Sequence, residues 1–168
     1  MQYLKLKLFY ITIVMLFNQF ISAQNTSTKK TKSPISSANQ KLLDTDKDFC
    51  KMSLKYGMKV AFTTYAHNEV IKLEQEANPV FGLEALKAHL KDDKDNPAKL
   101  FWTPVKAEIS KSNDLGYTFG NWQLPDKTKA GKDTTFYGNY VTIWKKQKNG
   151  NWKYVLDTGT NTPKPKEK

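Results

Sequence analysis

The sequence predicts an α+β domain. Apolar residues fall at helical spacing in the first half of the chain and alternate with polar ones in the second. Between two of the alternating runs, Asn149-Gly150 is a two-residue hairpin signal. Helices first and an antiparallel meander second is the order expected when helices gather on one side of a single sheet.

Residues 1–23 begin with Lys5 and Lys7, continue through an apolar stretch from Leu8 to Leu16 and on to Ile21, and end on the small residue Ala23. That pattern predicts a secretory signal peptide cleaved after Ala23, and hence a secreted or periplasmic product. Asn18 and Gln19 interrupt the stretch and leave it short of the roughly 20 apolar residues that a membrane span needs, so no stable anchor is expected after processing. Residues 24–36, rich in Ser, Thr and Lys, read as a flexible leader. The Lys/Pro tail 161–168 reads as disordered, which leaves one domain over 37–160.

Within the domain, Ser37 is placed to cap a helix running to about Tyr56. Leu42, Phe49, Met52 and Tyr56 fall roughly on one face, and Gly57 supplies the stop. A second helix, Met58 to Tyr65, carries Val60, Ala61 and Phe62. Glu69 to Leu73 suits a short strand. After Gly82, Leu83, Leu86 and Leu90 form one apolar stripe on a third helix.

From Thr103 the period becomes two, with Val105, Ala107 and Ile109 alternating with Lys106, Glu108 and Ser110. A turn at Ser112-Asn113-Asp114 follows, where Asn113 tolerates a left-handed conformation. The return strand is expected over Leu115 to Leu124, a polar loop over Pro125 to Thr134, then strands Thr135 to Gln147 and Trp152 to Thr158. In the last, Trp152, Tyr154 and Leu156 share one face, and Lys153, Val155 and Asp157 the other.

Charge and cysteine content narrow the function classes. The 168 residues carry a formal charge of +11, and all 27 cationic residues are lysine. Without the eight terminal lysines and Glu167, 19 lysines face 15 carboxylates, a net of +4 and an ordinary solvated surface. With no arginine the chain lacks the side chain best suited to bidentate base and phosphate contacts, so no specific nucleic-acid partner is expected. A single cysteine, Cys50, excludes a disulfide framework and reads as a small buried residue on a helix.

Phosphate loops, nucleophile elbows and Cys/His clusters are missing, and His67 and His89 are the only histidines. No metal and no cofactor is expected. What remains is an aromatic-rich second half. Trp102, Tyr117, Trp122, Tyr140, Trp144 and Asp157 are candidates to line an apolar pocket with a few polar groups aimed inward, a site suited to a small apolar or aromatic molecule. For most of these rings the default reading is the core of a small curved sheet, with a subset lining the pocket. For acid/base chemistry the candidates are Asp157, Glu108 and His67, the last placed at the end of the second helix. His89, off the leucine stripe, reads as solvated.

Leu100-Phe101-Trp102-Thr103-Pro104, Ser112-Asn113-Asp114-Leu115-Gly116-Tyr117-Thr118 with Gly120 and Trp122, Tyr137-Gly138-Asn139-Tyr140-Val141-Thr142-Ile143-Trp144-Lys145, and Gly150-Asn151-Trp152-Lys153 ending in Asp157-Thr158-Gly159 form an ordered set. With Asp46, Phe49, Gly57, Phe62 and Gly82, it resembles a bacterial secreted family of unknown function in the SnoaL-like, nuclear transport factor 2-like superfamily, over about residues 40 to 160. The resemblance implies a cone-shaped roll, with three N-terminal helices packed on a strongly curved antiparallel sheet around a cavity. It also implies frequent homodimers and secretion. In related ketosteroid isomerases a carboxylate on the first strand is the base and a helical tyrosine helps hold the oxyanion. Those positions fall here on Leu73 and Phe49, which cannot do that chemistry, and His67-Asn68 stands where relatives usually carry one or two acids.

Beside a structural or interaction domain working through its dimer face, two functional expectations follow. One is an exported ligand-binding or accessory protein. The other is a cofactor-independent hydrolase, isomerase or lyase using Asp157, Glu108 or His67, with Tyr117 or Tyr140 as hydrogen-bond donor.

Overall fold

A computed structural model describes residues 36–90, 99–128 and 130–165, all within the unit Ile35–Lys168. The expected signal peptide, nearly all of the expected leader and residues 166–168 of the expected tail lie outside the described residues.

Helix α1 spans Ser37–Tyr56 and is capped by Ser36 rather than Ser37: the Ser36 hydroxyl accepts from the Asn39 N–H at 3.1 Å. Leu42, Leu43, Asp46, Phe49, Cys50 and Ser53 form its buried face. The apolar stripe is therefore rotated from the expected one. Met52 is half-buried and Tyr56 is 53% exposed. Gly57, at φ 92, ends α1 and begins α2, Met58–Tyr65, whose Ala61 and Phe62 are buried. The positive φ is what lets the chain change direction in one residue, since a Cβ would resist it. After strand β1, Ala66–Lys72, and the short β2, Val80–Phe81, comes α3, Leu83–His89, which buries Leu86.

The strands β3 (Phe101–Ile109), β4 (Leu115–Lys127), β5 (Asp133–Lys146) and β6 (Trp152–Thr162) follow as an antiparallel meander. With β1 and β2 they make one six-stranded sheet in the order β2-β1-β6-β5-β4-β3, in which β1 runs parallel to β6. The expected loop over Pro125 to Thr134 is much shorter, because Pro125, Asp126 and Lys127 pair with Thr135, Thr134 and Asp133. Strand β6 likewise continues past Thr158 to Thr162. Asn113 does take a left-handed φ of 58. The Asn149-Gly150 hairpin closes through a Gln147–Asn151 bond around three residues, with Gly150 at φ 84.

Two register breaks move side chains to faces that strict alternation does not predict. In β3 the pairing skips between Pro104 and Lys106, so Trp102, Pro104 and Ala107 point inward while Val105 is 56% exposed. In β6 Ile143 pairs with Leu156 and Trp144 with Tyr154, which leaves Val155 as the extra residue. Beyond that bulge Asp157 shares the inner face with Trp152 and Tyr154, and Leu156 turns outward. Both bulges bend the strands and help the sheet curl around the helices.

At the centre lies the Phe49 ring, 4.7 Å from Phe62, 4.8 Å from Trp102, 4.9 Å from Tyr65 and 5.7 Å from Tyr154. The Tyr154 hydroxyl donates to the Phe62 carbonyl, and the Lys153 ammonium donates to that of Thr64, fastening α2 to β6. This packed aromatic cluster closes one end of the space between helices and sheet. The other end is open.

Candidate functional site

Glycines opposite aromatic rings build the floor of that open end. Along β4 and β5, Gly116 pairs with Trp144, Gly120 with Tyr140 and Gly138 with Trp122; Gly159 of β6 also pairs with Tyr140. A Cβ at Gly120 would meet the Tyr140 ring, and one at Gly138 the Trp122 ring, at under 3.0 Å, closer than real Cβ atoms come. The rings therefore lie flat on bare backbone. The Trp122 indole is held there by donating to the Asn139 carbonyl at 3.2 Å.

Above this floor is a cavity of about 490 Å³. Phe49 of α1, Met58 and Phe62 of α2, Leu73, Leu90 and Leu100 form apolar walls, with Trp102, Trp122 and Leu124 from the sheet. Tyr140, Thr142 and Asp157 face it from β5 and β6, and Lys72 enters from the end of β1. The volume is in the range of small-molecule sites.

Two buried carboxylates organise the polar groups. Asp46, fully buried on α1, accepts from the Trp102 indole at 2.8 Å and from the Tyr140 hydroxyl at 2.8 Å, and is also hydrogen-bonded by Thr118. Thr118 in turn accepts from the Trp144 indole at 2.9 Å. Burial pushes the Asp46 carboxyl above its ordinary pKa, an effect the three donors partly offset. Burial, then the charge of Asp46, raises the Tyr140 hydroxyl, so it stays a donor. Asp157 accepts from Lys72 at 2.6 Å through one oxygen and from Thr142 at 2.6 Å through the other. The Lys72 ammonium also lies 5.5 Å above the Phe62 ring.

Four of the six residues expected at a pocket, Trp102, Trp122, Tyr140 and Asp157, line this cavity together. Trp144 is not among them: it is fully buried in the core, on the same sheet face but packed against Phe49 and Tyr65. Tyr117 lies on the outer face, its ring 6.0 Å from the Lys106 ammonium. Glu108 is exposed on that face and paired with Lys106 at 2.9 Å, whose hydrogen bond lowers its pKa. His67 belongs to β1 rather than to a helix end, and its Nδ1 accepts from the Glu69 N–H. Neither Glu108 nor His67 reaches the cavity. His89 contacts Glu74 at 3.1 Å. Cys50 is buried on α1, its sulfur accepting from the Trp102 N–H at 3.4 Å. Among the described residues no group of three or more His, Cys, Asp and Glu side chains is placed to hold a metal ion.

The sequence reasoning did not single out Asp46 or Lys72 as site residues. A signal for Asp46 exists in its spacing: it stands four after Leu42, three before Phe49 and four before Cys50, on the buried stripe. Lys72 stands two after buried Val70 on the same strand face.

Comparison with solved structures places the fold. A nuclear transport factor 2-like superfamily protein from Salmonella enterica aligns at TM-score 0.58 and 11% identity, over 76% of this chain and 92% of that one. The S. rosetta CaMKII hub aligns at 0.58 and 17%, over 76% and 98%. A Catenulispora acidiphila structure in complex with S-DNPA aligns at 0.56 and 10%, over 73% and 91%. No protein-family model matches the chain, and no curated protein matches it. The fold is that of the nuclear transport factor 2-like proteins: helices on a curved, open sheet.

Proposed function

We propose that this chain is an exported small-molecule-binding or accessory protein whose ligand, largely apolar, occupies the cavity between the helices and β3–β6. The observation that carries the reading is the cavity itself, about 490 Å³, walled largely by aromatic and aliphatic side chains, with polar groups that include Lys72, Tyr140, Thr142 and Asp157. Tyr140 and Trp102 are tied to Asp46 rather than left to collapse, so the space is held open by buried hydrogen bonds. The S-DNPA complex of the Catenulispora neighbour is compatible with a ligand-binding use of this fold.

Export rests on the signal-peptide pattern of residues 1–23. A homodimer through the outer face of the sheet is part of the same proposal. Val105 and Phe119 are exposed there, and Val141, Ile143 and Leu156 are half-buried beside them in register.

The enzyme reading now depends on Asp157 and Tyr140, which share the cavity, whereas Glu108, His67 and Tyr117 lie elsewhere. Asp157 is bound by Lys72 and Thr142, and Tyr140 by Asp46, an arrangement that favours positioning a ligand over taking its proton.

The binding reading is tested by titrating the purified protein with the neutral fluorophore N-phenyl-1-naphthylamine. Saturable binding at one site per protomer, abolished by the cavity-filling substitution Leu73→Trp with the fold intact by circular dichroism, is expected. Absence of saturable binding contradicts it.

A further inference from the structure

The charged groups in the cavity wall differ in sign from the protein as a whole. The chain carries +11, yet the charged side chains lining the cavity are one lysine, Lys72, and two carboxylates, Glu74 and Asp157. A third carboxylate, Asp46, lies directly behind the Tyr140 hydroxyl. The lysine is already neutralised by Asp157 at 2.6 Å, with side chains only 14% and 9% exposed. An anionic ligand would meet a single cation already compensated by Asp157 at a poorly solvated pair, with Glu74, exposed and in contact with His89, also on the lining; like charge at such a pair is costly.

Hydrogen-bonding capacity at the pair remains open on both sides. An ammonium has three donors, and Lys72 gives one to Asp157; a carboxylate has about four acceptor sites, and Asp157 uses two, for Lys72 and Thr142. A single uncharged group able to accept from Lys72 while donating to Asp157 satisfies both without adding charge. A hydroxyl does this with one oxygen atom.

Resting on the cavity reading above, the geometry points to a neutral, hydroxyl-bearing ligand, a phenol or alcohol on a flat apolar body. Its oxygen sits at the Lys72–Asp157 pair and its rings lie between Phe62, Trp102 and Trp122. A carboxylic acid of the same skeleton is disfavoured by the surrounding carboxylates. A bare hydrocarbon gains the walls but leaves the pair's remaining donors and acceptors unmatched.

Equilibrium dialysis at neutral pH with 2-naphthol, 2-naphthoate and naphthalene tests this on the unmodified protein. The expected order has 2-naphthol tightest, by about tenfold over each of the others. In the double variant Lys72→Met/Asp157→Leu, which removes both charges together, the preference for naphthol over naphthalene is expected to vanish while naphthalene binding persists. Naphthoate binding tightest, or naphthol binding no better than naphthalene, overturns the head-group inference and leaves the cavity reading standing. Binding of none of the three overturns the cavity reading, and this inference with it.

Discussion

Replacing Gly138 with alanine tests whether the glycine–aromatic pairs build the cavity floor. The added Cβ would fall within 3.0 Å of the Thr160 carbonyl and of the Trp122 ring, and neither is a flexible side-chain end. Relief requires opening the β5–β6 pairing at Gly138–Asn161 or lifting Trp122 off the sheet. Overpacking of this kind costs about 1–3 kcal/mol. Loss of the Trp122 bond to the Asn139 carbonyl adds about 1 kcal/mol. Against this, alanine restricts the unfolded chain and returns about 0.5–1 kcal/mol. The net expectation is a destabilisation of about 1–3.5 kcal/mol, measured by urea unfolding followed through far-UV circular dichroism. Gly131→Ala is the control: no atom lies within 4 Å of its Cβ, and only its φ of 77 resists, worth about 1 kcal/mol. A Gly138→Ala loss below that of the control would refute the reasoning.

Asp46→Ala strands the Trp102 indole, the Tyr140 hydroxyl and one bond of Thr118, and is expected to cost about 4 kcal/mol in the same assay; a loss under about 1 kcal/mol contradicts the central role given to Asp46. Asp46 also sets a pH dependence. Its folded pKa lies above the ordinary 3.8, so between those values the folded state holds more protons than the unfolded, and its contribution to stability falls as pH rises through that interval. Asp46→Asn does not titrate, so the stability of wild type minus variant should decline as pH rises above about 4, and an increase would show the donors outweighing burial. Phe119→Glu, on the outer face, is expected to convert a dimer to monomers in sedimentation without weakening probe binding; a wild-type protein already monomeric at micromolar concentration contradicts the dimer proposal.

The elements were legible in the sequence because their cause is local. Gly57 and Gly82 mark helix boundaries; Met58–Tyr65 stands as expected, and the helix after Gly82 begins at Leu83 but ends at His89, with Leu90 of the expected stripe as its extended cap. The faces of β3 and β6 were not, because a bulge is decided by what the neighbouring strand pairs with. One extra residue at Val105 turned that valine outward, and another at Val155 carried Asp157 into the cavity. Trp144 and Tyr140 alternate on one face, yet one is core and the other lines the cavity, since the helices cover only part of the sheet. The role of Asp46 was not legible because its partners Trp102, Thr118 and Tyr140 come from three strands far along the chain.

The most direct test of the cavity as a ligand site uses the four tryptophans as internal reporters. Trp102 and Trp122 line the cavity, while Trp144 and Trp152 are buried outside it. In heteronuclear NMR of the indole N–H groups, titration with 2-naphthol should shift the Trp102 and Trp122 signals and leave those of Trp144 and Trp152 in place. Unchanged Trp102 and Trp122 signals at saturating ligand, or shifts confined to Trp144 and Trp152, would contradict the account.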